Sequence, residues 1–292
     1  VEREEYGRMA AVEDAMWFYR ALHTHLEREL TGILGQAGKT CGRGALTPRS
    51  ACGAGFAPAM AGIKPALQRD EVAPPTVTTA HNFRILDAGC GTGGLIRRLA
   101  PRHPDWAWTG IDLEPLACAF ARERTLAEII EGSIAALPFE ADRFDAVICS
   151  DVLYHLDDDE AALREIFRVL VPGGTTVINV PAHRWLWSYH DVTVHGRRRY
   201  VRGELREKLR RAGFADIRLT HWNSLPLPLV FVRRKFFPPP ASGSDVRLYP
   251  APIEAAFRGA MALERGWLAC FGALPVGSSI LAVARKPPAS AA

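Results

Sequence analysis

Between residues 83 and 180 short apolar runs alternate with longer segments in which apolar residues return every three or four positions. The runs 83–88, 106–111, 126–131, 144–149 and 175–180 have the length of buried strands, and the segments between them have the period of amphipathic helices. That alternation predicts a parallel sheet covered by helices. In residues 161–170, Leu163, Ile166, Phe167 and Leu170 form one stripe, with acidic caps at Asp157, Asp158 and Asp159 and a stop at Pro172-Gly173-Gly174. Residues 202–212 repeat the pattern, with Leu205, Leu209 and Ala212 inward, Arg202, Arg206 and Arg210 outward, and Gly213 ending the helix. Runs at 214–222 and 278–284 supply a sixth and a seventh strand.

Upstream, Met16, Tyr19, Leu26 and Leu30, broadened by Trp17, Phe18 and Leu22, predict one amphipathic helix over residues 13–30. Residues 32–81 are rich in Gly, Ala, Pro and Ser, and weak periodicity predicts a long flexible connection. The organisation expected is an N-terminal lid over residues 1–82, then one α/β domain over 83–292. Residues 181–203 and 223–277 are insertions near the site.

Composition narrows the class without naming it. At 292 residues, 48% hydrophobic and 23% charged, the chain can bury a sizeable core and is not disordered overall. A net charge of +4 is mild, which with the lack of a recognisable nucleic-acid module disfavours nucleic acid as partner, but basic residues gather around 197–211 and at Arg233-Arg234-Lys235, which predicts a local basic face. Cys41, Cys52, Cys90, Cys118, Cys149 and Cys270 form no C-x-x-C pair, so no metal site is expected and the thiols read as reduced; Cys41 and Cys52 share one loop, where a disulfide is disfavoured in a reducing compartment. The acidic N-terminus resembles no secretion signal and residues 225–232 are too short and too proline-broken to span a bilayer, so the cytoplasm is the expectation. Residues 225–237, apolar with three adjacent cations, predict a helical lid, with a membrane-surface or lipid-substrate contact as the second reading.

The densest chemistry is Ile85-Leu86-Asp87-Ala88-Gly89-Cys90-Gly91-Thr92-Gly93-Gly94. Glycines at alternate positions after a buried strand let the backbone turn tightly and approach a ligand. Gly89-x-Gly91-x-x-Gly94 also satisfies the dinucleotide fingerprint, but a carboxylate at Asp87 would repel a pyrophosphate. It suits S-adenosylmethionine (SAM), which carries an ammonium and a sulfonium. Asp112, closing the second strand, can accept both ribose hydroxyls, and Gly132-Ser133-Ile134 can edge and cover the adenine.

Leu86 to Gly93, then Gly110-Ile111-Asp112, Leu137-Pro138-Phe139, Phe144-Asp145-Ala146-Val147 and Leu170-x-Pro172-Gly173-Gly174 resemble the successive motifs of class I SAM-dependent methyltransferases. The resemblance implies a Rossmann-like, mostly parallel seven-stranded sheet with an antiparallel last strand, and SAM across the carboxyl ends of the strands, with S-adenosylhomocysteine as product. The cofactor-facing residues it implies are Asp87, Gly89, Cys90, Gly91, Gly93, Asp112, Leu113, Ser133, Ile134 and Ser150. Family members often carry Asp or Asn where this chain has Ser133, which shifts adenine recognition toward Ser133 or backbone groups.

The acceptor must be read elsewhere. Cys149-Ser150-Asp151-Val152-Leu153-Tyr154-His155-Leu156 lacks the Asn-Pro-Pro-Tyr clamp that grips planar amino groups, which favours small-molecule chemistry. Residues 180–200 gather aromatic, imidazole and guanidinium groups suited to stacking on and pairing with an acceptor. Together with Glu13-Asp14-x-x-Trp17-Phe18-Tyr19-Arg20 and Leu274-Pro275-x-Gly277-Ser278, this loop is similar to a subgroup of bacterial small-molecule methyltransferases, although His195 here precedes Gly196 where the subgroup places Gly first. The expected general base is His190, oriented by Asp191 or another carboxylate, or His155. Trp17, Tyr19, Arg20, Tyr154, Trp185, Tyr189, His195 and Tyr200 are expected to line the acceptor, and Arg198 and Arg199 to neutralise an anionic group on it. The function expected is methyl transfer to O, N or C of a small molecule. An RNA or protein methyltransferase, a non-catalytic SAM-fold binding subunit and a dehydrogenase are the alternatives, and the oligomeric state stays open.

Overall fold

A computed structural model describes residues 3–41, 83–238 and 245–289. Its centre is a seven-stranded sheet: β1 (Phe83–Ala88), β2 (Trp106–Asp112), β3 (Glu128–Glu131), β4 (Phe144–Ser150), β5 (Leu170–Pro181), β6 (Ala215–Trp222) and β7 (Ser279–Arg285). The order is β3-β2-β1-β4-β5-β7-β6. The neighbours from β3 to β5 are parallel, whereas β7 runs antiparallel to both β5 and β6. This is the Rossmann-like arrangement the motifs imply, antiparallel last strand included.

The strand order reverses between β1 and β4. Such a switch point opens a crevice at the carboxyl ends of the strands, the place where open α/β sheets bind ligands. The glycine loop after β1, Asp112 at the end of β2, Ser133 after β3 and Asp151 after β4 all lie along that edge.

Helices α3 (Gly94–Leu99), α4 (Pro115–Arg124), α5 (Asp159–Val169) and α7 (Arg202–Arg211) cover the sheet, with a short α6 (Tyr189–Thr193) in the loop after β5. Asp158 caps α5 by accepting the Ala161 N–H at 2.9 Å, the signal its acidic run gave. Its buried Leu163, Ile166 and Val169 join Leu205 and Leu209 of α7 on one face of the sheet. Each such side chain contributes roughly 1.5–3 kcal/mol of burial. On the other face pack Leu95, Ile96 and Leu99 of α3, with Leu22, Leu26 and Leu30 of the N-terminal helix.

Three expectations change. The helix expected over 13–30 starts later, as α2 (Trp17–Cys41), and a separate α1 (Arg3–Val12) precedes it; residues 13–16 between them form a turn from which Glu13 reaches the glycine loop. Residues 32–41 continue α2 and are no connection; residues 42–81, including Cys52, lie outside the described residues, as does the side chain of Cys41. The insertion 223–277 contains α8 (Leu227–Phe236), within the predicted lid, and a long α9 (Ala251–Phe271) that the sequence pattern did not reveal.

Candidate functional site

A cavity of about 760 Å³ opens at the switch point. One end is the glycine loop. Gly89 has φ +89°, and a Cβ there would meet Val152 Cγ2 at 2.1 Å, so only glycine allows the loop to pass beneath the β4 loop. A Cβ on Gly91, at φ +53°, would meet nothing within 4 Å among the described residues and would stand in open space at the cavity wall. Gly93 corrects the expectation: it does not line the cavity, and its Cβ would press on Ala121 and Thr125 at 3.1 Å, so its role is close packing of α3 on α4.

Three carboxylates converge there. Asp112 is held by two backbone donors, Gly91 N–H at 2.8 Å and Glu114 N–H at 3.0 Å, one on each oxygen. Each oxygen keeps a lone pair for a hydroxyl. Asp87 is buried, and desolvation, with Asp112 and Glu13 nearby, raises its pKa to about 7. Glu13 reaches across from the turn between α1 and α2, accepting from Thr92 Oγ1 at 2.8 Å and pairing with Arg124. Such clustered negative charge in a desolvated pocket disfavours a pyrophosphate and suits a cation.

Cys90, Leu113, Ser133, Ile134 and Ser150 line the same end. The Ser150 hydroxyl is buried and makes no hydrogen bond within the described residues. These groups fit SAM: a carboxylate for the ribose diol, anions for the ammonium and sulfonium, and open backbone at Gly91.

The other end is aromatic and basic. Trp17, stacked on Phe257 of α9 at 4.6 Å, and Tyr19 line it from α2. Tyr154 and His155, their rings 3.9 Å apart, line it from the β4 loop, and His195 from the loop after β5. The two candidate bases differ. The His155 Nδ1 lies 3.3 Å from the His195 carbonyl, which can only accept, so Nδ1 carries the proton and Nε2 the lone pair. Burial lowers its pKa to about 4, so the ring is neutral. His190 is arranged the opposite way. Its Nδ1 accepts the Asp245 N–H at 3.3 Å, which leaves the proton on Nε2, and burial together with Arg234 lowers its pKa to about 3.

Several expected acceptor residues are committed elsewhere. Asp191 does not orient His190: it accepts from Arg199 at 2.7 and 3.1 Å and caps α6 through the Ser188 N–H at 2.9 Å. Arg199 touches the cavity wall but is locked in that buried pair and on the Ala182 carbonyl. Arg198 lies outside the cavity, bound to the Leu156 and Asp157 carbonyls and to Asp159. Tyr200 is fully buried, its hydroxyl donating to Asp159 at 2.6 Å. Tyr189 lies behind the wall, donating to Asp245 at 2.9 Å. Trp185 is half exposed against His183 and Phe231, and Arg20 is exposed; neither reaches the cavity.

The structure adds wall residues that the sequence reading passed over. Glu13 and Phe257 are two; Arg233 and Arg247 bring positive charge to the acceptor end. Asp151 directly follows β4 at φ +54°, held by Asn179 Nδ2 at 3.0 Å to both oxygens while Asn179 Oδ1 takes the Trp222 indole N–H at 2.7 Å. Its pKa rises to about 7 through burial. The acidic pair Glu13-Asp14 beside an aromatic helix, and Asp151 beside Ser150, were the available signals.

Residues 85–174 match the family described as a methyltransferase domain. A 2-methyl-6-phytyl-1,4-hydroquinone methyltransferase of Oryza sativa is 28% identical over 158 residues, 52% of this chain and 44% of that protein. A demethylmenaquinone methyltransferase of Thermus thermophilus is 39% identical over 100 residues, 32% of this chain and 46% of its own, and a ubiquinone biosynthesis O-methyltransferase of Alkalilimnicola ehrlichii 36% identical over 102 residues, 33% and 40%. The matched region spans less than half the length of these relatives. By this match, the glycine loop and the seven-stranded sheet, residues 85–174 form a methyltransferase domain of the class I SAM-dependent type.

Proposed function

We propose that the chain transfers the methyl group of SAM to a nucleophilic oxygen, nitrogen or carbon atom of a small-molecule acceptor. The observation that carries this reading is continuity: one cavity joins the carboxylates around the glycine loop to the aromatic and imidazole groups of Trp17, Tyr154 and His155. When bound, SAM supplies an electrophilic methyl on a positively charged sulfur. Asp87, Asp112 and Glu13 favour that charge and fix the ribose. The aromatic walls hold the acceptor in line, which is most of what a bimolecular displacement requires. For a hydroxyl acceptor, His155 Nε2 takes the proton; an amine acceptor needs less help.

The ring substrates in the relatives' names favour a ring-bearing acceptor among the aromatic walls. Arg233 and Arg247 favour an anionic group on it, in place of Arg198 and Arg199. Engagement of Arg197, Arg198 and Arg199 with internal carbonyls and carboxylates disfavours an RNA-binding face. Incubating the purified chain with methyl-labelled SAM and fractionated metabolites, with mass spectrometry for a gain of one methyl group, tests the proposal. Calorimetric binding of NADH without binding of SAM would overturn it.

A further inference from the structure

Helix α9 buries both of its acids and exposes several large apolar residues. Its two acidic residues face inward: Glu254 accepts the Trp17 N–H at 2.8 Å and the Tyr249 N–H at 3.1 Å, and Glu264, 2% exposed, accepts from the backbone of Asn223, Ser224 and Leu225. Met261 and Leu268 also face inward, but three large apolar residues do not, with Leu263 73%, Trp267 50% and Phe271 66% exposed. In α8 and the residues after it, Leu229, Val232, Phe236 and Phe237 are exposed in the same way. Exposed apolar groups in such number mark an interaction surface.

Charge says what kind. Residues 223–277 contain six basic and three acidic side chains. Two of the acids are the buried glutamates, and the third, Asp245, is paired with Arg234 at 2.8 Å. Lys235, Arg247 and Arg258 are exposed among the apolar residues. A surface of Leu, Phe and Trp studded with cations and without an exposed acid complements an anionic lipid headgroup layer, where aromatic rings sit at the interface and cations meet phosphate. No helix among the described residues is long and apolar enough to cross a membrane, so the surface would lie on the bilayer.

The surface and the cavity are continuous. Leu229 of α8 and Ile253 of α9 are exposed and also line the cavity, so the two helices bracket its mouth. We propose that α8 and α9 dock the protein on an anionic lipid bilayer with the cavity mouth turned toward the membrane. The docking stands on the surface alone; that an apolar acceptor enters the cavity from the lipid rests on the proposed methyl transfer.

Flotation of the purified full chain with vesicles of phosphatidylcholine, alone or containing phosphatidylglycerol, tests this. Retention is expected on the anionic vesicles, weakened by salt, and about fivefold weaker for each of Lys235→Gln and Arg258→Gln. A variant combining Leu263→Ser, Trp267→Ser and Phe271→Ser should lose on the order of tenfold or more, while thermal melting of all variants stays with the parent. Retention by neither vesicle overturns the proposal, as does equal retention by both that the variants leave unchanged. So does a dimer by light scattering that the serine variant dissociates while no vesicle retains the chain, because the surface then belongs to a second copy. Vesicle retention is read without SAM or acceptor, so failure here and failure of methyl transfer are separate results.

Discussion

At the scale of single residues, the site works through desolvated charge. Asp87 is protonated in the folded chain up to about pH 7, well above an ordinary carboxylate near 4. A carboxylate whose folded pKa is raised costs stability as pH rises from the unfolded pKa through the folded one. The ligand-free protein therefore loses this contribution between about pH 4 and 7, and Asp87→Asn should melt higher than the parent at pH 8. SAM brings positive charge and favours the ionised form, so its affinity should rise with pH to about 7 and then level. Calorimetry across that range should find the slope flattened in Asp87→Asn, and affinity at pH 8 lower by roughly tenfold, about 1.4 kcal/mol. The histidines separate by tautomer. His155→Ala should lower kcat for a hydroxyl acceptor on the order of a hundredfold with SAM affinity unchanged, whereas His190→Ala should change kcat by no more than a few-fold. A reversed ranking in labelled-SAM turnover would return the base to His190. Asp191→Ala should destabilise by about 3–5 kcal/mol in urea unfolding, because it strands a buried Arg199, and Asp191→Asn should recover part of that. Asp87, Asp112, Gly89 and Gly91 were legible as cavity residues because they end a strand or directly follow one, whereas Gly93, further along the loop, packs α3 on α4. The sequence could not show that Arg198, Arg199 and Tyr200 turn away, since their partners Asp159 and Asp191 are set by how the loops fold back.

At the scale of elements, legibility followed the direction in which apolar residues point. Helices α5 and α7 carry apolar residues inward and polar ones outward, so period and burial agree and their bounds were readable to within two residues. Helix α9 breaks that rule: Ile253, Phe257, Met261 and Leu268 have a helical period, but Leu263, Trp267 and Phe271 are exposed while Glu264 faces in. No single stripe emerges. Strand β5 begins at Leu170, earlier than 175, because residues after Pro172-Gly173-Gly174 continue the same pairing, with Phe144 opposite Leu170 across a register shift. Glu264 is the tether that holds α9 to the turn after β6, and its removal tests that hold. Glu264→Ala leaves the buried N–H groups of Asn223 and its neighbours without an acceptor and should cost about 3 kcal/mol. Urea unfolding reads that loss; a change under about 0.5 kcal/mol, the size of an ordinary surface substitution, would show that water replaces the carboxylate.

At the scale of the whole molecule, the cavity is closed by two segments that lie at opposite ends of the sequence. Helix α2 meets α9 where Trp17 stacks on Phe257, and the Trp17 N–H donates to Glu254. Tyr249 extends the aromatic cluster from the other side of Phe257, at 6.1 Å. The strands pair with one another without either contact, while Trp17 and Met261 join the core on one face of the sheet. Opening of this closure is expected to be local, with a free energy below that of global unfolding. Phe257→Ala removes the shared ring and should cost about 3 kcal/mol or more if it were deep in a core; at this half-buried junction the loss should appear chiefly as opening of the closure. Hydrogen exchange should quicken in α1, α2 and the first turns of α9 while the amides of β1, β4 and β5 keep their protection. Because Glu13 sits in the turn that α1 and α2 carry, the same variant should also weaken SAM binding without touching any residue that contacts the glycine loop. Uniform loss of protection across the sheet would show instead that the two ends of the chain are part of one cooperative unit, and that the cavity opens only when the molecule unfolds.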